Sequence, residues 1–276
     1  MTAWLDGGPA DPRLAEARGL HYGDGVFRTL RVHRGELVDA AGQLAHLAAD
    51  ARALALHAPQ EVLAAEAGQL LQTAALADGA LKILLWRKAS GRGYRPQGGD
   101  CHRLLSLHPL PVLRLDPATA GARVDLAALR LGEQPALAGI KHLNRLEQVL
   151  ASRDWPAAID ERLLANDQDE LICGTRSNLF AVSEGRLWTP RLDRAGVAGR
   201  TRARVLALAE AAGIAVQIAP LPVAALSSVQ ELFLSNSLFG LWGVAEAPGF
   251  RASAPGPLTR RLMQTLAHPP WKAAAC

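Results

Sequence analysis

The chain has 276 residues, 49% of them apolar, and a formal charge of +4. That length suits two hydrophobic cores rather than one. The positive charge comes mostly from scattered arginines, so no basic tract of the kind that tracks a nucleic-acid backbone is present, and a small anionic ligand suits the surplus better. The three cysteines, Cys101, Cys173 and Cys276, are widely spaced. They argue against a disulfide framework or a cysteine zinc site and fit a reducing, cytoplasmic compartment. The N-terminal stretch "MTAWLDGGPADPRL" has no apolar centre, so no signal peptide is expected. No apolar run reaches membrane-spanning length, so no membrane partner is expected either. No HxH or HxxxH pair occurs, and a metal site has little support.

The elements follow in chain order. Residues 25–38, "GVFRTLRVHRGELV", predict a hairpin turning at His33-Arg34-Gly35. Leu44, Leu47, Ala51, Leu54 and Ala55 recur at helical spacing over 40–57. A second helix is predicted over 60–76. Two paired strands, 80–86 and 101–110, flank the glycine-rich loop "ASGRGYRPQGGD". Prolines at 109, 111 and 117 mark a connection between domains. These signals place a smaller N-terminal α/β domain at 1–112, a connection at 113–122 and a larger C-terminal domain at 123–276. The second part opens with a strand over 123–131. A helix over 144–154 follows, with Asn144 and Glu147 spaced as a capping pair. Strands at 170–173, 178–183 and 186–188 come next. A helix over 200–212 is stopped by Gly213. Strand signal covers 231–244, and a helix at 257–267 closes the chain. Strands and helices are interspersed in both halves, which points to two α/β or α+β domains.

Four segments could carry chemistry. Lys141 precedes a capped helix; partly desolvated, it would be a nucleophilic amine, and fully solvated it would be an ordinary surface lysine. In "GVAGRTRARVLALAEAAG" (196–213), Gly196, Gly199 and Thr201 open a helix whose first amides suit a phosphate; a plain glycine turn is the other reading. "GTRSNLF" (174–180) could add phosphate contacts or simply be a turn. "SGRGY" (90–94) puts Arg92 and Tyr94 on a loop, where an arginine fork suits a carboxylate; a bare surface loop fits as well.

Taken together, the motifs resemble the fold-type IV pyridoxal-phosphate enzymes, the group of branched-chain and D-amino-acid aminotransferases. "RGLHYGDGVFRTLRV", "SGRGY", "LRLGEQPALAGIKHLNRLEQVL", "WTPRLDRAGVAGRTR" and "ELFLSNSLFGLWGV" occur in that group's order, from about residue 18 to 245. The lysine motif is most similar to the aminodeoxychorismate lyase branch. The resemblance implies an α+β, two-domain, D-amino-acid aminotransferase-like fold with its active site at the domain cleft. It implies pyridoxal 5'-phosphate as cofactor, bonded to Lys141, with Gly199, Arg200, Thr201 and Thr175 near the phosphate. It implies Arg92, Tyr94 and Asn236 as substrate-binding groups and a homodimer acting on a small-molecule substrate. The activity implied is pyruvate elimination from 4-amino-4-deoxychorismate to give 4-aminobenzoate. An aminotransferase of the same fold and a non-catalytic relative without cofactor are the alternatives.

Two positions depart from the group. Where it has a glutamate facing the pyridine nitrogen, this chain has Cys173. Glu170 is three residues away and should point to the other strand face, whereas Asp169 has the correct parity but lies about 13 Å off. Where the group has a phosphate-binding arginine, this chain has Ala49, with Arg52 one helical turn on. Arg52 and Arg200 are the candidate replacements.

Overall fold

A computed structural model describes residues 4–6, 8–9, 11–88 and 93–271. The chain forms two compact units. The first runs to Pro109 and also takes in Ile140–Asn144; the second comprises Leu110–Gly139 and the chain from Arg145 onward. The segment that carries Lys141 thus belongs to the first unit, although the sequence on both sides of it belongs to the second.

In the first unit, a short helix α1 (Arg18–Tyr22) leads into strand β1 (Gly25–His33). Arg34 and Gly35 both have positive φ, 52° and 80°, which lets a two-residue turn reverse the chain into β2 (Glu36–Leu37). Helices α2 (Ala40–Ala53) and α3 (Gln60–Ala74) follow, then β3 (Asp78–Arg87) and β4 (Cys101–His108). The sheet order is β2-β1-β3-β4, antiparallel throughout. Strand alternation turns Val26, Leu30 and Val32 of β1 toward Leu44 and Leu47 of α2, all 5% exposed or less. Each such side chain contributes about 1.5–3 kcal/mol of transfer free energy.

The second unit is built on β5 (Ala122–Arg130), helix α4 (Leu146–Ala151), β6 (Glu161–Ala165), β7 (Glu170–Gly174), β8 (Asn178–Ser183) and β9 (Arg186–Thr189). Helix α5 (Arg200–Ala211) is followed by β10 (Val216–Ile218), β11 (Leu221–Pro222), β12 (Glu231–Asn236), β13 (Gly240–Ala247) and β14 (Phe250–Arg251). Helix α6 (Pro257–Leu266) comes last. The ten strands form one mixed sheet, ordered β10-β9-β8-β12-β13-β5-β6-β7-β11, with β14 paired to β13. Phe180 and Phe233 stack at 4.9 Å beneath α5 and α6, beside Val205 and Leu262. The proline-rich stretch after Pro109 packs on this unit's core through Leu113 and Leu115. Arg114 there donates to both oxygens of buried Asp160, at 3.1 and 2.6 Å.

Two expectations change. The predicted strand 231–244 is two strands, because Asn236 closes a turn: its Oδ1 accepts from the amides of Leu238 (2.9 Å) and Phe239 (3.0 Å). The Asn144–Glu147 capping pair does not form. Helix α4 starts one residue later, at an Arg145 N-cap that makes no side-chain cap bond. Glu147 accepts from the Gly132 amide (2.7 Å), and Asn144 turns to the Gly23 carbonyl (3.5 Å).

Candidate active site

Lys141 lies on a segment that runs along the edge of β1. The Phe27 amide donates to its carbonyl (3.0 Å), the Leu143 amide donates to Gly25 (2.9 Å), and Val26 bridges His142. Alternation then sorts the side chains. Ile140, 7% exposed, joins the core with Val26 and Leu30. Lys141 takes the opposite face, half-buried, with its ammonium 4.5 Å from the centre of the Phe27 ring. Lys82, from β3, stands 5.4 Å from the same ring. The amine is therefore held against an aromatic ring in a defined place.

Behind it is a pair that the sequence reading missed. Arg28, on the core face of β1, donates to Asp50 of α2 at 2.6 Å; their side chains are 3% and 9% exposed. The same carboxylate oxygen accepts, at 3.4 Å, from the backbone amide of Lys141. Burial holds the Arg28 guanidinium below its ordinary value, and pairing with Asp50 offsets only part of that. A sequence signal existed: a cation interrupts the apolar parity of Val26, Leu30 and Val32, and an acid interrupts the stripe of Leu44, Leu47 and Ala51. Arg52, expected near the cofactor, is exposed on α2, as is Ala49.

The second unit, taken by itself, has a helix start of a kind that suits an anion. Gly199 is the N-cap of α5, with no side chain capping the first turn. Asn178 fixes the approach, donating to the Val197 carbonyl (2.7 Å) and accepting from the Gly199 amide (3.1 Å). A Cβ on Gly199 would collide with that Asn178 oxygen, so a side chain there would have to displace Asn178. Gly139 is tied to the same loop: its amide donates to Gly196 (3.0 Å) and its carbonyl accepts from Ala198 (2.9 Å). Beside Asn178 in the ladder, Ser235 carries a buried hydroxyl with no hydrogen-bond partner among the described residues. Thr201 in the first turn of α5 is 5% exposed, and Arg200 is half-buried. A glycine N-cap lends no side chain to the first turn, and helix starts of this kind suit anions in general.

Other expected site residues have different tasks. Thr175 donates its hydroxyl to Glu161 (2.5 Å), and its amide is shared between Glu161 (3.2 Å) and the Arg162 carbonyl (3.0 Å). It is left without a donor for a phosphate. Glu161, 1% exposed, also accepts from Ser177 (3.0 Å) and the Arg162 amide (2.9 Å), so it organises the 175–177 turn. Asn236 closes the β12–β13 turn and donates to the Arg176 carbonyl (3.3 Å). Tyr94 is 85% exposed, with its ring 5.3 Å from that of Tyr22. Arg92 lies outside the described residues.

Cys173 is a buried thiol in an apolar cluster with Leu164, Ile172 and Ala195. Strict side-chain alternation does not hold along β7, which is irregular. Cys173 pairs with Leu164, but Leu171, not Ile172, pairs with Ala165. The extra residue shifts the alternation. Neither acid stands in for the missing glutamate: Asp169 is paired with Arg130 (2.6 Å) and Glu170 accepts from Asn166 (3.1 Å).

Residues 25–247 match the amino-transferase class IV family. The chain belongs to that family. It is 33% identical over 272 residues to the aminodeoxychorismate lyase of Vibrio harveyi, spanning 95% of this chain and 98% of that one. The solved 4-amino-4-deoxychorismate lyase from Pseudomonas aeruginosa is 39% identical, with a TM-score of 0.82 over 95% of this chain and 97% of its own. The branched-chain aminotransferase of the archaeon Thermoproteus uzoniensis, solved with norvaline, shares the fold at 21% identity, with a TM-score of 0.79 over 97% and 93% of the two chains. The α+β, fold-type IV class expected from the motifs is the class found.

Proposed function

We propose that this chain is a pyridoxal-phosphate-dependent lyase that converts 4-amino-4-deoxychorismate to 4-aminobenzoate and pyruvate. The observation that carries the reading is the Lys141 amine, half-buried against Phe27 on a segment clamped to β1. The full-length likeness to two lyases supports it. Each unit, taken by itself, holds residues whose chemistry suits one part of the cofactor. Lys141 supplies an amine for the aldehyde. The first turn of α5, with the Ser235 hydroxyl nearby, suits the phosphate. At the third position Cys173 offers a thiol where the related enzymes have a carboxylate.

Bound there, pyridoxal phosphate supplies an aldehyde that captures an amine and a ring that withdraws electrons from it. The rest falls to the chain. Lys141 would take the proton from the amine-bearing ring carbon and deliver one to the departing enolpyruvyl carbon. The C–O bond breaks, pyruvate leaves and the six-membered ring becomes aromatic. That aromatisation supplies driving force, so the lyase leans less on a protonated pyridine than amino transfer does. A thiol at 173 is compatible with such a reaction. Tyr94, with Arg92, holds a substrate carboxylate.

A homodimer is part of this reading. Leu146, Val149 and Leu150 on α4 are 75%, 57% and 49% exposed at i, i+3 and i+4 spacing, an apolar stripe suited to a second copy. No helix among the described residues is long and apolar enough to cross a membrane. We place the enzyme in the cytoplasm, with no nucleic-acid partner.

Lys141→Ala tests the reading. Production of 4-aminobenzoate should fall by about a thousandfold or more, together with the borohydride-sensitive visible absorption of lysine-bound cofactor. An alanine variant that keeps full turnover would end the proposal. Amino transfer to a 2-oxo acid without 4-aminobenzoate release would instead make the chain an aminotransferase.

A further inference from the structure

Two nearly buried arginines meet on one carboxylate in the first unit. Arg18 and Arg87 are 5% and 4% exposed. Both donate Nε to the same Asp24 oxygen, at 2.8 and 2.9 Å, and Arg87 Nη2 reaches the other oxygen at 3.3 Å. The remaining guanidinium donors go to backbone carbonyls of the glycine-rich loop and its neighbours. Arg18 donates to Gly93 (2.7 Å) and Tyr94 (3.1 Å). Arg87 donates to Gly98 (2.5 Å), Ala55 (3.1 Å) and Leu54 (2.7 Å). The loop is therefore gripped at both ends of 93–98 by two cations sharing one anion. Gly93 and Gly98 have φ of 93° and 71° at the gripped points, where a side chain would strain the backbone.

The grip continues into the aromatic rings. The Arg18 guanidinium lies 4.9 Å from the centre of the Tyr22 ring, and Tyr22 in turn meets Tyr94. Burying two guanidiniums is costly unless they are paired and hydrogen-bonded. Here they are paired, yet most of their remaining donors order a segment whose tyrosine is exposed. A core-packing role does not need that arrangement; fixing an exposed side chain for a ligand does.

We propose that Asp24, acting through Arg18 and Arg87, is a positioning residue that fixes 93–98 and so presents Tyr94 to the carboxylate-bearing substrate. This rests on the reading in which Tyr94 meets substrate. The described residues of the loop are rich in glycine and carry no regular structure between β3 and β4.

Asp24→Asn keeps the shape and removes the charge that gathers the two forks. Chymotrypsin cleavage after Tyr94 in the native holoenzyme, followed by mass spectrometry, should accelerate by about tenfold, the scale of one lost charge-assisted hydrogen bond. KM for 4-amino-4-deoxychorismate should rise by a similar factor, with kcat and the cofactor spectrum little changed. Arg18→Lys, which keeps a cation but loses the fork on Gly93 and Tyr94, should move both readouts the same way and serves if the asparagine variant does not fold. Unchanged cleavage, or faster cleavage with an unchanged KM, overturns the proposal. Failure of the lyase reading looks different: wild-type protein would then release no 4-aminobenzoate, and cleavage together with KM for the amino donor it does use would still decide the role of Asp24.

Discussion

Asp50→Ala is the perturbation whose size follows most directly from the structure. The Arg28–Asp50 pair spans β1 and α2 at 2.6 Å with both side chains at most 9% exposed. Removing the carboxylate leaves a buried guanidinium whose desolvation already lowers its pKa, and Asp50 is what offsets that burial. Stranding one partner of a buried ion pair costs about 3–5 kcal/mol, a large share of the roughly 5–15 kcal/mol that holds a domain folded. In a chain of this size the melting temperature should fall by about 10 °C. Thermal melts followed by circular dichroism measure it.

The control is the double variant Arg28→Met with Asp50→Leu. Exchanging a buried pair for apolar groups of similar volume is often neutral or stabilising, so the double variant should recover most of the loss. It should not recover full activity, because the Lys141 amide loses its 3.4 Å acceptor on Asp50. A single variant that melts within about 2 °C of wild type would refute the reasoning, since a stranded buried charge should destabilise by more than that. A double variant no better than the single would refute it equally.

Three other outcomes are expected. Gly199→Ala forces a Cβ against the Asn178 oxygen that holds the start of α5, so affinity for inorganic phosphate and for pyridoxal phosphate, read by titration of the apo protein, should weaken by about tenfold. Cys173→Glu should raise amino transfer to a 2-oxo acid and change the rate of 4-aminobenzoate release little; a large gain in the lyase rate alone would contradict the role given to aromatisation. Burial pushes the Asp24 carboxyl up, but hydrogen bonds from Arg87 and Arg18 outweigh it and hold the group below its usual value of 3.8. A depressed carboxylate contributes stability above its unfolded pKa and loses it as pH falls through the folded one. Hydrogen exchange of amides in 93–98 should therefore stay slow at pH 5 and quicken only below about pH 4.

Much of the fold was legible because its signals are local. Periodicity marked α2, α3 and α5, and the His33-Arg34-Gly35 turn fell where two positive φ values reverse the chain. What was not legible depends on neighbours distant in sequence. Asn144 and Glu147 have capping spacing, yet Gly23 and Gly132 claim their side chains. Thr175 sits in a phosphate-like motif, yet Glu161, fourteen residues upstream, takes its hydroxyl. The side-chain parity around Cys173 could not be counted from sequence, because one extra residue in β7 resets it. The placement of Lys141 and Gly199 depends instead on main-chain bonds of short segments, Phe27 to Lys141, Leu143 to Gly25 and Gly139 to the 196–198 loop.

A carboxylate is acceptor-only and can take up to about four hydrogen bonds, so a buried one gathers donors that no single stretch of sequence would bring together. Asp24 collects two arginines and, through them, the loop at 93–98. Asp50 joins β1, α2 and the Lys141 amide. Glu161 orders the 175–177 turn, and Glu231 accepts from the Leu258 and Thr259 amides (2.8 and 2.9 Å) to start α6. Each binds more than one segment, and each is an acceptor to several groups at once. Substituting such a residue therefore releases a loop as well as a bond, which is why the loss at Asp24 should appear in KM and in cleavage rather than in the melt alone. Cys173 differs in kind: a thiol is a weak donor and acceptor, and this one sits among apolar side chains. A carboxylate at 173 would be buried among apolar side chains, where an unpaired charge is costly, so Cys173→Glu is read with a thermal melt beside the two rates, and only a variant that melts near wild type tests the chemistry rather than the fold.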